Sequence, residues 1–184
     1  MSVGLKLVHK VPQELTEDEV SQCYKLVRKL RPMYIASREP WDRKSKINEM
    51  IETEGMEFIL LLTETGDVAA FVSFIEKDYL YDIPCVFIWE LHVHPDFRRQ
   101  GLATQLVYQV LERAGNGNTE RTNKCADSNE IRDEQTLAQE ENTGRVYLRS
   151  FRKNLLALQF YEALNFHEVE KLSDKYSVYM VHEP

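Results

Sequence analysis

The fold is decided by residues 89–104, which read Trp-Glu-Leu-His-Val-His-Pro-Asp-Phe-Arg-Arg-Gln-Gly-Leu-Ala-Thr. We interpret this stretch as a strand, a tight loop and the start of a helix. Within it, Arg98-x-x-Gly101-x-Ala103 places small residues where a backbone must approach a ligand closely. The unpaired N–H groups of a first helical turn, with the positive end of the helix dipole, favour an anion at this position. The stretch therefore predicts a pyrophosphate-binding loop.

The flanking sequence supports this interpretation, since a six-residue pattern with one glycine also fits an ordinary basic turn. Residues 86–89, Val-Phe-Ile-Trp, form an apolar run that is typical of a central strand. Beyond the loop, apolar residues recur at helical spacing: Leu102, Leu106, Val107, Val110 and Leu111. A buried strand is therefore expected to lead into the loop, and an amphipathic helix to lead away from it.

A second motif lies further along the chain. Residues 146–150 are predicted to form a strand, and residues 154–166 follow as Asn-Leu-Leu-Ala-Leu-Gln-Phe-Tyr-Glu-Ala-Leu-Asn-Phe. The two motifs together resemble the GNAT superfamily of acetyl-CoA-dependent N-acetyltransferases, which carries Arg/Gln-x-x-Gly-x-Gly/Ala in its loop and Asn-x-x-Ala-x-x-Phe-Tyr in a later helix. Asn165 stands where the family usually has glycine, and asparagine also adopts the left-handed conformation that ends a helix. The resemblance implies acetyl-CoA as the cofactor.

A finer resemblance involves residues upstream of the loop. Residues 34–46 read Tyr-Ile-Ala-Ser-Arg-Glu-Pro-Trp-Asp-Arg-Lys-Ser-Lys, and Trp89 and Glu90 directly precede the loop. Together they are similar to the histone-directed N-terminal acetyltransferases of type D, from about residue 16 to residue 179 with one insertion. This resemblance implies transfer of acetyl to the N-terminal serine amine of histone H4, and of the histone that shares its Ser-Gly-Arg-Gly-Lys terminus. The amine is expected to attack directly in a ternary complex.

Composition and charge limit the class of protein. The chain has 184 residues, enough for one domain with a real core, and its 43% hydrophobic content is typical of a globular protein. The net charge of −7 argues against nucleic-acid binding and is compatible with a cationic peptide substrate. A monomer is expected.

Cysteine usage and hydropathy bear on the compartment. Cys23, Cys85 and Cys125 lie far apart and fit neither a zinc motif nor a disulfide framework, which favours a reducing intracellular environment. The sequence shows no signal-peptide core and no run of eighteen apolar residues, so a soluble protein without membrane contact is expected. Together with the histone resemblance, this places the protein in the cytoplasm and nucleus, although no basic localisation cluster is present.

The organisation along the chain predicts a single domain over residues 1–184. Thr16 and Glu19 form a capping box that opens a helix, which Pro32 is expected to stop. The other predicted elements are a helix over 42–54, a hairpin over 58–62 and 68–74, and strands over 86–93, 166–169 and 176–181. The sum is an α+β fold with a GNAT-like mixed central β-sheet flanked by helices and an extra N-terminal helical segment. Residues 115–144 are polar and poor in apolar side chains, so we interpret them as a mobile insertion.

Glu90 is the first candidate catalytic residue. Strand alternation places it on one face with Ile88 and His92, opposite Trp89 and Leu91. A carboxylate inside such an apolar strand either pairs with a lysine or arginine, or acts as a general base on the substrate amine. A base whose pKa is raised by partial burial suits an α-amine, with a pKa of about 7.7–8.0, better than a lysine side chain near about 10.4.

The later helix is expected to contribute two further residues. Tyr161 either protonates the departing thiolate or packs in the core. In the family pattern Asn154 bonds the pantetheine arm, and as the first residue before a helix it could equally be a cap; the two roles are compatible. The resemblance also implies that strand backbone groups hold the pantetheine and the thioester oxygen, and that the loop holds the pyrophosphate. The candidates for cofactor binding are Leu91, His92, Val93, Arg98, Arg99, Gln100, Gly101, Leu102, Ala103, Thr104 and Asn154.

Carboxylates are expected to receive a cationic residue of the substrate, and aromatic side chains either belong to the core or wall the peptide channel. Asp78 is the acidic candidate beside Glu90, with Asp82 or Glu76 as alternatives in the same segment. The candidates for substrate binding are Tyr34, Trp41, Asp78, Phe87, Trp89, Arg149 and Tyr176.

Three alternatives stay open. The spacing of His92 and His94 fits part of a metal site, but no third ligand stands at a suitable spacing and acetyl transfer from a thioester needs no metal, so none is expected. The same fold also serves lysine side-chain and small-amine acetyltransferases. A non-catalytic acyl-CoA-binding module is the third alternative, and it would need neither Glu90 nor Tyr161.

Overall fold

The computed structural model describes residues 4–80, 83–122 and 144–184, without the side chains of residues 77–79, 83 and 116–122. Its helices are α1 (Glu17–Val27), α2 (Arg31–Ala36), α3 (Arg43–Glu52), α4 (Leu102–Thr122) and α5 (Leu155–Glu162). Its strands are β1 (Lys6–Lys10), β2 (Met56–Leu62), β3 (Val68–Leu80), β4 (Ile83–Val93), β5 (Val146–Phe151), β6 (His167–Glu168) and β7 (Ser177–His182). Short 3-10 turns cover Pro12–Glu14, Arg28–Leu30 and Pro95–Phe97. None of the described helices combines the length and the apolarity needed to cross a membrane.

The seven strands form one mixed sheet in the order β1-β2-β3-β4-β5-β7-β6. Neighbouring strands are antiparallel except β4 and β5, which run parallel. The β4–β5 ladder runs from Val86 to Ile88, opposite Val146 to Leu148, although both strands continue further. Beyond Ile88 the two strands separate, and a wedge-shaped gap opens in the middle of the sheet. The architecture confirms the predicted α+β fold with its mixed sheet and N-terminal helical segment.

A β-bulge at Trp89 changes the faces of β4. Ser73 of β3 pairs with Glu90 while the next residue, Phe74, pairs with Ile88, so Trp89 is the extra residue. Ile88 therefore belongs to the core on the opposite face from Glu90. The predicted placement of Ile88 beside Glu90 is wrong, because a bulge inserts one residue and shifts the alternation that a regular strand follows.

Apolar side chains cover both faces of the sheet. On one face, α4 and α5 pack over a first core cluster that includes Phe74 and Ile88. On the other face, α1 and α3 pack over a second core cluster that includes Phe58, Phe71 and Met50. Each large apolar side chain that is fully buried contributes about 1.5–3 kcal/mol, so both helical layers are held firmly to the sheet. The N-terminal helices are therefore an integral layer of the domain.

Local signals set the N-terminal helices. The Thr16 hydroxyl accepts the Glu19 N–H at 3.1 Å and the Glu19 carboxylate accepts the Thr16 N–H at 2.8 Å, which confirms the capping box. Asp42 caps α3 by accepting a first-turn N–H at 2.7 Å. The expectation that Pro32 stops the helical run is wrong: α1 ends at Val27, and Pro32 lies in the first turn of α2, where a residue without an N–H is tolerated.

Two elements extend the fold beyond the sequence predictions. Strand β1 is not predicted, because its five residues, Lys-Leu-Val-His-Lys, are too few and too polar to mark an edge strand. Helix α4 continues to Thr122 and so enters the segment interpreted as an insertion from residue 115. A helix that is already nucleated can propagate into a polar sequence at one hydrogen bond per residue. The rest of that segment, residues 123–143, lies outside the described residues.

Candidate active site

The gap between β4 and β5 opens into a cavity of about 630 Å³. Its walls come from the separated ends of both strands, from the α2–α3 segment and from α5. Nine of the predicted site residues line it: Tyr34, Phe87, Trp89, Glu90, Leu91, His92, Arg149, Asn154 and Tyr161. Four carboxylates and two permanent cations also belong to the lining, so the described walls are acidic. The fold therefore brings residues from distant parts of the sequence into one acidic cleft.

The loop from β4 to α4 has the geometry of an anion site. The Arg98 side chain donates to the Val93 carbonyl at 3.4 Å, and the backbones of Arg99 and Gly101 adopt left-handed φ angles of 61° and 78°. Left-handed residues within a loop turn neighbouring N–H groups towards a common side, and the first N–H groups of a helix have no intrahelical acceptor. Because α4 begins at Leu102, these donors lie on one loop, and donors of this kind suit an anion. The other candidates of this loop and first turn are Gln100, Ala103 and Thr104.

Glu90 lies where the two strands separate, and it is 9% exposed. Its Oε2 lies 2.7 Å from Nε2 of His92, and its Oε1 lies 3.5 Å from Nζ of Lys46. Burial alone would raise the pKa of Glu90, but the hydrogen bond and charge of His92 and the charge of Lys46 outweigh it and lower that pKa. The carboxylate is therefore ionised at neutral pH. The expectation of a raised pKa is wrong, because that expectation counted burial alone, whereas the contacts with His92 and Lys46 together outweigh burial.

A lowered pKa restricts what Glu90 can do as a base. Moving a proton from an ammonium with a pKa of about 8 to a carboxyl of ordinary pKa, about 4.3, is unfavourable by about 5 kcal/mol. At pH 7.5, however, about a third of α-amines are already neutral, against about one lysine side chain in a thousand. Glu90 is therefore suited to hold the amine and to take its proton once the nitrogen has become acidic during attack.

His92 and His94 have different partners. His92 bonds to Glu90, and its ring stacks on Phe71 with 5.4 Å between the centroids. His94 precedes the Pro95–Phe97 turn, where its Nδ1 accepts the Asp96 N–H at 3.4 Å. Among the residues that the structure describes, no group of three or more His, Cys, Asp or Glu side chains could hold a metal ion.

Two residues of the α5 region face the cavity. The ring of Tyr161 packs against Phe160 and Phe166, and burial, then the charge of Glu90, raises the pKa of its phenol. The phenol therefore stays protonated at neutral pH and can act as a donor. Asn154 precedes α5, and its side chain makes no capping hydrogen bond. Asn154 therefore occupies the N-cap position without a capping bond from its side chain, and its amide remains a candidate contact for the pantetheine arm.

Aromatic side chains form one wall of the cavity. Tyr34 packs edge-on against Phe151 and Trp41, with centroid distances of 4.7 and 4.9 Å, and Phe87 packs edge-on against Trp89 at 5.9 Å. Trp41 does not line the cavity; it packs against the second core cluster and supports Tyr34 from behind. Trp41 thus supports a residue of the cavity wall and does not itself form that wall.

The remaining substrate candidates differ in position. Arg149 lines the cavity and forms an ion pair with Glu39 of the α2–α3 segment. Tyr176 lies away from the cavity lining, with the Lys175 ammonium 4.8 Å from its ring centroid. The backbone of Asp78 belongs to β3, but its side chain lies outside the described ones.

The alternatives to Asp78 do not replace it in the described part of the chain. Glu76 pairs with Arg113 at 2.9 Å and is absent from the cavity lining, while Asp82 lies outside the described residues. The described acidic lining comes instead from carboxylates of the N-terminal segment, which the sequence analysis did not single out: Glu39, Asp42 and Glu49. Glu39 and Asp42 flank Trp41 in the stretch that carries the finer resemblance, and this position was the available signal.

Lys46 is a further charged lining residue that the sequence pattern did not single out. It lies 44 residues from Glu90 in the chain, so no local pattern links the two. One weak signal exists, because Lys46 stands four residues before Met50 and therefore on the same buried face of α3.

Comparisons with known proteins bear on the family and the fold. The model of the acetyltransferase (GNAT) family matches residues 19–132. An L-2,4-diaminobutyric acid acetyltransferase from Vibrio parahaemolyticus is 35% identical over 80 residues, which cover 43% of this chain and 43% of that protein. The match thus spans less than half of the length of that relative.

Solved structures share the fold over nearly the whole chain. An acyl-CoA N-acyltransferase from Pseudomonas aeruginosa has a TM-score of 0.61 at 16% identity, over 97% of this chain and 99% of that one. The ribosomal-protein-S18-alanine N-acetyltransferase of Escherichia coli has a TM-score of 0.55 at 17% identity, over 97% and 94%. NAA60 of Arabidopsis thaliana, solved with a bisubstrate analogue, has a TM-score of 0.58 at 12% identity, over 97% and 99%. At these identities the likeness concerns the fold alone.

Proposed function

The chain belongs to the acetyltransferase (GNAT) family, and on that premise we propose that it acetylates the α-amine of a peptide that begins Ser-Gly-Arg-Gly-Lys. This sequence is the terminus of histone H4 and of a second histone. The observation that carries the proposal is the ionised Glu90 carboxylate, buried in an acidic cavity at the point where β4 and β5 separate. The N–H groups of the substrate amine find there a negative acceptor in a low-dielectric site.

The charge of the cavity supports a cationic peptide. Glu39, Asp42 and Glu49 add carboxylates beside Glu90, and the chain as a whole carries a net charge of −7. An arginine side chain in the third position of the peptide would form charge-assisted hydrogen bonds with such carboxylates. A neutral or acidic peptide would lose those bonds and leave the carboxylates without a counter-charge.

The electrostatics of Glu90 support an α-amine over a lysine side chain. An ionised carboxylate of lowered pKa is a weak base, so the substrate amine must already be partly neutral at working pH. The α-amine meets this condition and the lysine amine does not, by about 3 pKa units or about 4 kcal/mol.

In the proposed reaction, the amine attacks the acetyl carbonyl directly. Acetyl-CoA supplies an activated acetyl thioester when bound. Glu90 binds the amine and takes its proton as the new C–N bond forms, and Tyr161 gives its phenolic proton to the sulfur as the C–S bond breaks. Backbone groups of Leu91 and Val93, on the edge of β4 that β5 leaves open, would bond the pantetheine and the thioester oxygen. No acyl-enzyme is needed.

The cofactor would be held along the same gap. Residues 98–104 would bind the pyrophosphate through N–H groups and the dipole of α4, and Asn154 would bond the pantetheine arm. We further propose that the enzyme works as a monomer on histone tails, without binding nucleic acid or membrane directly, in the cytoplasm and nucleus. The small, widely separated cysteine set and the acidic net charge support these assignments.

Steady-state kinetics on a peptide beginning Ser-Gly-Arg-Gly-Lys tests the proposal. Replacing the peptide arginine by alanine should lower kcat/KM by about 30-fold, or about 2 kcal/mol, because carboxylates in the cavity lose their counter-charge. Glu90→Gln should lower kcat by about a hundredfold or more. The matched control is Glu64→Gln, an exposed carboxylate in the β2–β3 turn, which should leave both constants unchanged. Normal turnover by Glu90→Gln, or indifference to the peptide arginine, would contradict the proposal.

A small-amine acetyltransferase is the second candidate. It is favoured by the local similarity to the diaminobutyric acid acetyltransferase and by Arg149, a cation in the cavity that could hold the carboxylate of an amino acid. In this structure, however, Arg149 is already paired with Glu39. Diaminobutyrate offered in competition with the peptide distinguishes the two: this candidate predicts preferential turnover of diaminobutyrate, and the leading proposal predicts preferential turnover of the peptide.

A further inference from the structure

Lys46 is a buried lysine for which the proposed reaction gives no role. It lies on α3 and is 9% exposed, and its Nζ lies 2.9 and 3.0 Å from the two carboxylate oxygens of Glu49. The same Nζ lies 3.5 Å from Oε1 of Glu90 and 4.9 Å from the ring centroid of Tyr34. An ammonium group is costly to bury unless it is paired, and here it is shared between two carboxylates and an aromatic face.

In the described part of the chain, titratable groups from four elements lie around Glu90. His92 comes from β4 itself, Lys46 and Glu49 come from α3, Tyr34 from α2, and Tyr161 from α5. Tyr34 and Tyr161 are neutral at physiological pH, because burial, with the charge of Glu90 second, raises the pKa of each phenol. Glu49 is an acid and would disfavour ionisation of Glu90. Lys46 therefore supplies the permanent positive charge that offsets burial of the Glu90 carboxylate.

We propose that Lys46 is a positioning residue of the catalytic centre, which holds the Glu90 carboxylate ionised and in place from the helical layer opposite the sheet. This inference rests on the proposed function of Glu90. The geometry leaves Glu90 usable, since each carboxylate oxygen accepts up to two hydrogen bonds and has one partner among the described residues, Lys46 on Oε1 and His92 on Oε2. Both oxygens retain a direction for the substrate amine.

The pairing also links the N-terminal segment to catalysis. Tyr34 lines the cavity, and α3, which follows it in the chain, carries Lys46. The segment of α2 and α3, which lines the cavity, thus also carries the lysine that keeps Glu90 ionised. A shift of α3 away from the sheet would change substrate binding and the catalytic carboxylate together.

Lys46→Met removes the charge while keeping an unbranched side chain, and Lys46→Arg restores the charge. Activity on the peptide is measured from pH 5 to pH 8 and expressed as the ratio of each variant to the unaltered protein, which cancels ionisation of the substrate amine. For Lys46→Met we expect this ratio to fall by about tenfold or more between pH 8 and pH 5, since a carboxylate that loses an adjacent cation protonates about one to three pH units higher. For Lys46→Arg the ratio should stay flat across this range. The matched control is Lys44→Met on the exposed side of α3, for which the ratio should also stay flat.

The outcomes separate this inference from the proposed function. If Glu90→Gln is inactive and the ratio for Lys46→Met is independent of pH, Lys46 has a structural role and the inference is overturned. If Glu90→Gln retains full activity, the proposed function itself fails. Unchanged CoA affinity, measured by calorimetry, is expected for Lys46→Met. Should that variant not fold, the double variant Lys46→Met/Glu49→Gln removes both charges of the pair, and it should show the same fall of the ratio towards low pH.

Discussion

Replacing Gly101 by alanine tests the proposed pyrophosphate loop. Gly101 has φ +78°, and a Cβ built on it meets nothing within 4 Å, so the substitution is limited by backbone conformation and not by space. A left-handed alanine costs about 1–2 kcal/mol. In a chain of this size, each kcal/mol lowers Tm by about 2–4 °C, so a decrease of about 2–8 °C is expected.

The chain offers a matched control in Gly66, which has φ +87° and likewise meets nothing within 4 Å of a built Cβ. Gly66 lies in the β2–β3 turn, outside the cavity lining, so Gly66→Ala should lower Tm by a similar amount without affecting the cofactor. In Gly101→Ala the left-handed conformation of the loop is strained. A partial relaxation of that conformation turns N–H groups away from the anion. Losing one charge-assisted hydrogen bond, worth about 1.5–3 kcal/mol, should weaken CoA binding by about tenfold to a hundredfold.

Calorimetry of CoA binding and of thermal unfolding gives both quantities for each variant. We expect the two Tm decreases to be alike and the two CoA affinities to differ. If Gly101→Ala folds, shows the decrease in Tm and binds CoA as tightly as Gly66→Ala does, the cofactor does not lie on this loop.

Three further predictions concern caps, contacts and pH. Thr16→Ala should destabilise the protein by about 1 kcal/mol through loss of the α1 cap, measured by denaturant unfolding, without changing CoA affinity. Asn154→Ala should show the reverse in the same assays, because its side chain caps nothing and lines the cavity. Burial would raise the pKa of Glu19, but Lys10 and Thr16 outweigh it and hold that pKa below its ordinary value of 4.5. The stabilisation by Glu19 is therefore fully present above about pH 4.5 and lost as the pH falls through the lower folded-state pKa, so Glu19→Gln should flatten the dependence of Tm on pH in that window.

Local patterns predicted the parts of the fold that depend on neighbours in the chain. The capping box of Thr16 and Glu19 satisfies donors within one helical turn, and the apolar spacing after Gly101 places one face of α4 on the sheet. Such interactions join residues that are a few positions apart, so a short stretch of sequence is enough to predict them. The loop at residues 98–101 is likewise predictable from a short stretch.

The site depends on contacts that local patterns do not contain. The bulge at Trp89 is defined by its pairing with β3, and it moves Ile88 to the face opposite Glu90. The lowered pKa of Glu90 depends first on His92 of the same strand and then on Lys46, which lies on a helix 44 residues away in sequence. The sequence therefore identified the carboxylate but gave the wrong direction for the shift of its pKa. Burial, which raises that pKa, can be inferred from an apolar strand, whereas the paired groups that lower it are brought together by the fold.

The central claim is that this protein acetylates a peptide α-amine, and locating the transferred acetyl group tests it most directly. A peptide beginning Ser-Gly-Arg-Gly-Lys is incubated with the protein and acetyl-CoA, and fragmentation mass spectrometry assigns the modified nitrogen. Acetyl is expected on the serine α-amine, with no incorporation when that amine is blocked and the lysine remains free. Acetyl on the lysine side chain of the blocked peptide would contradict the α-amine assignment, and no acetyl on either peptide would contradict peptide acetylation altogether.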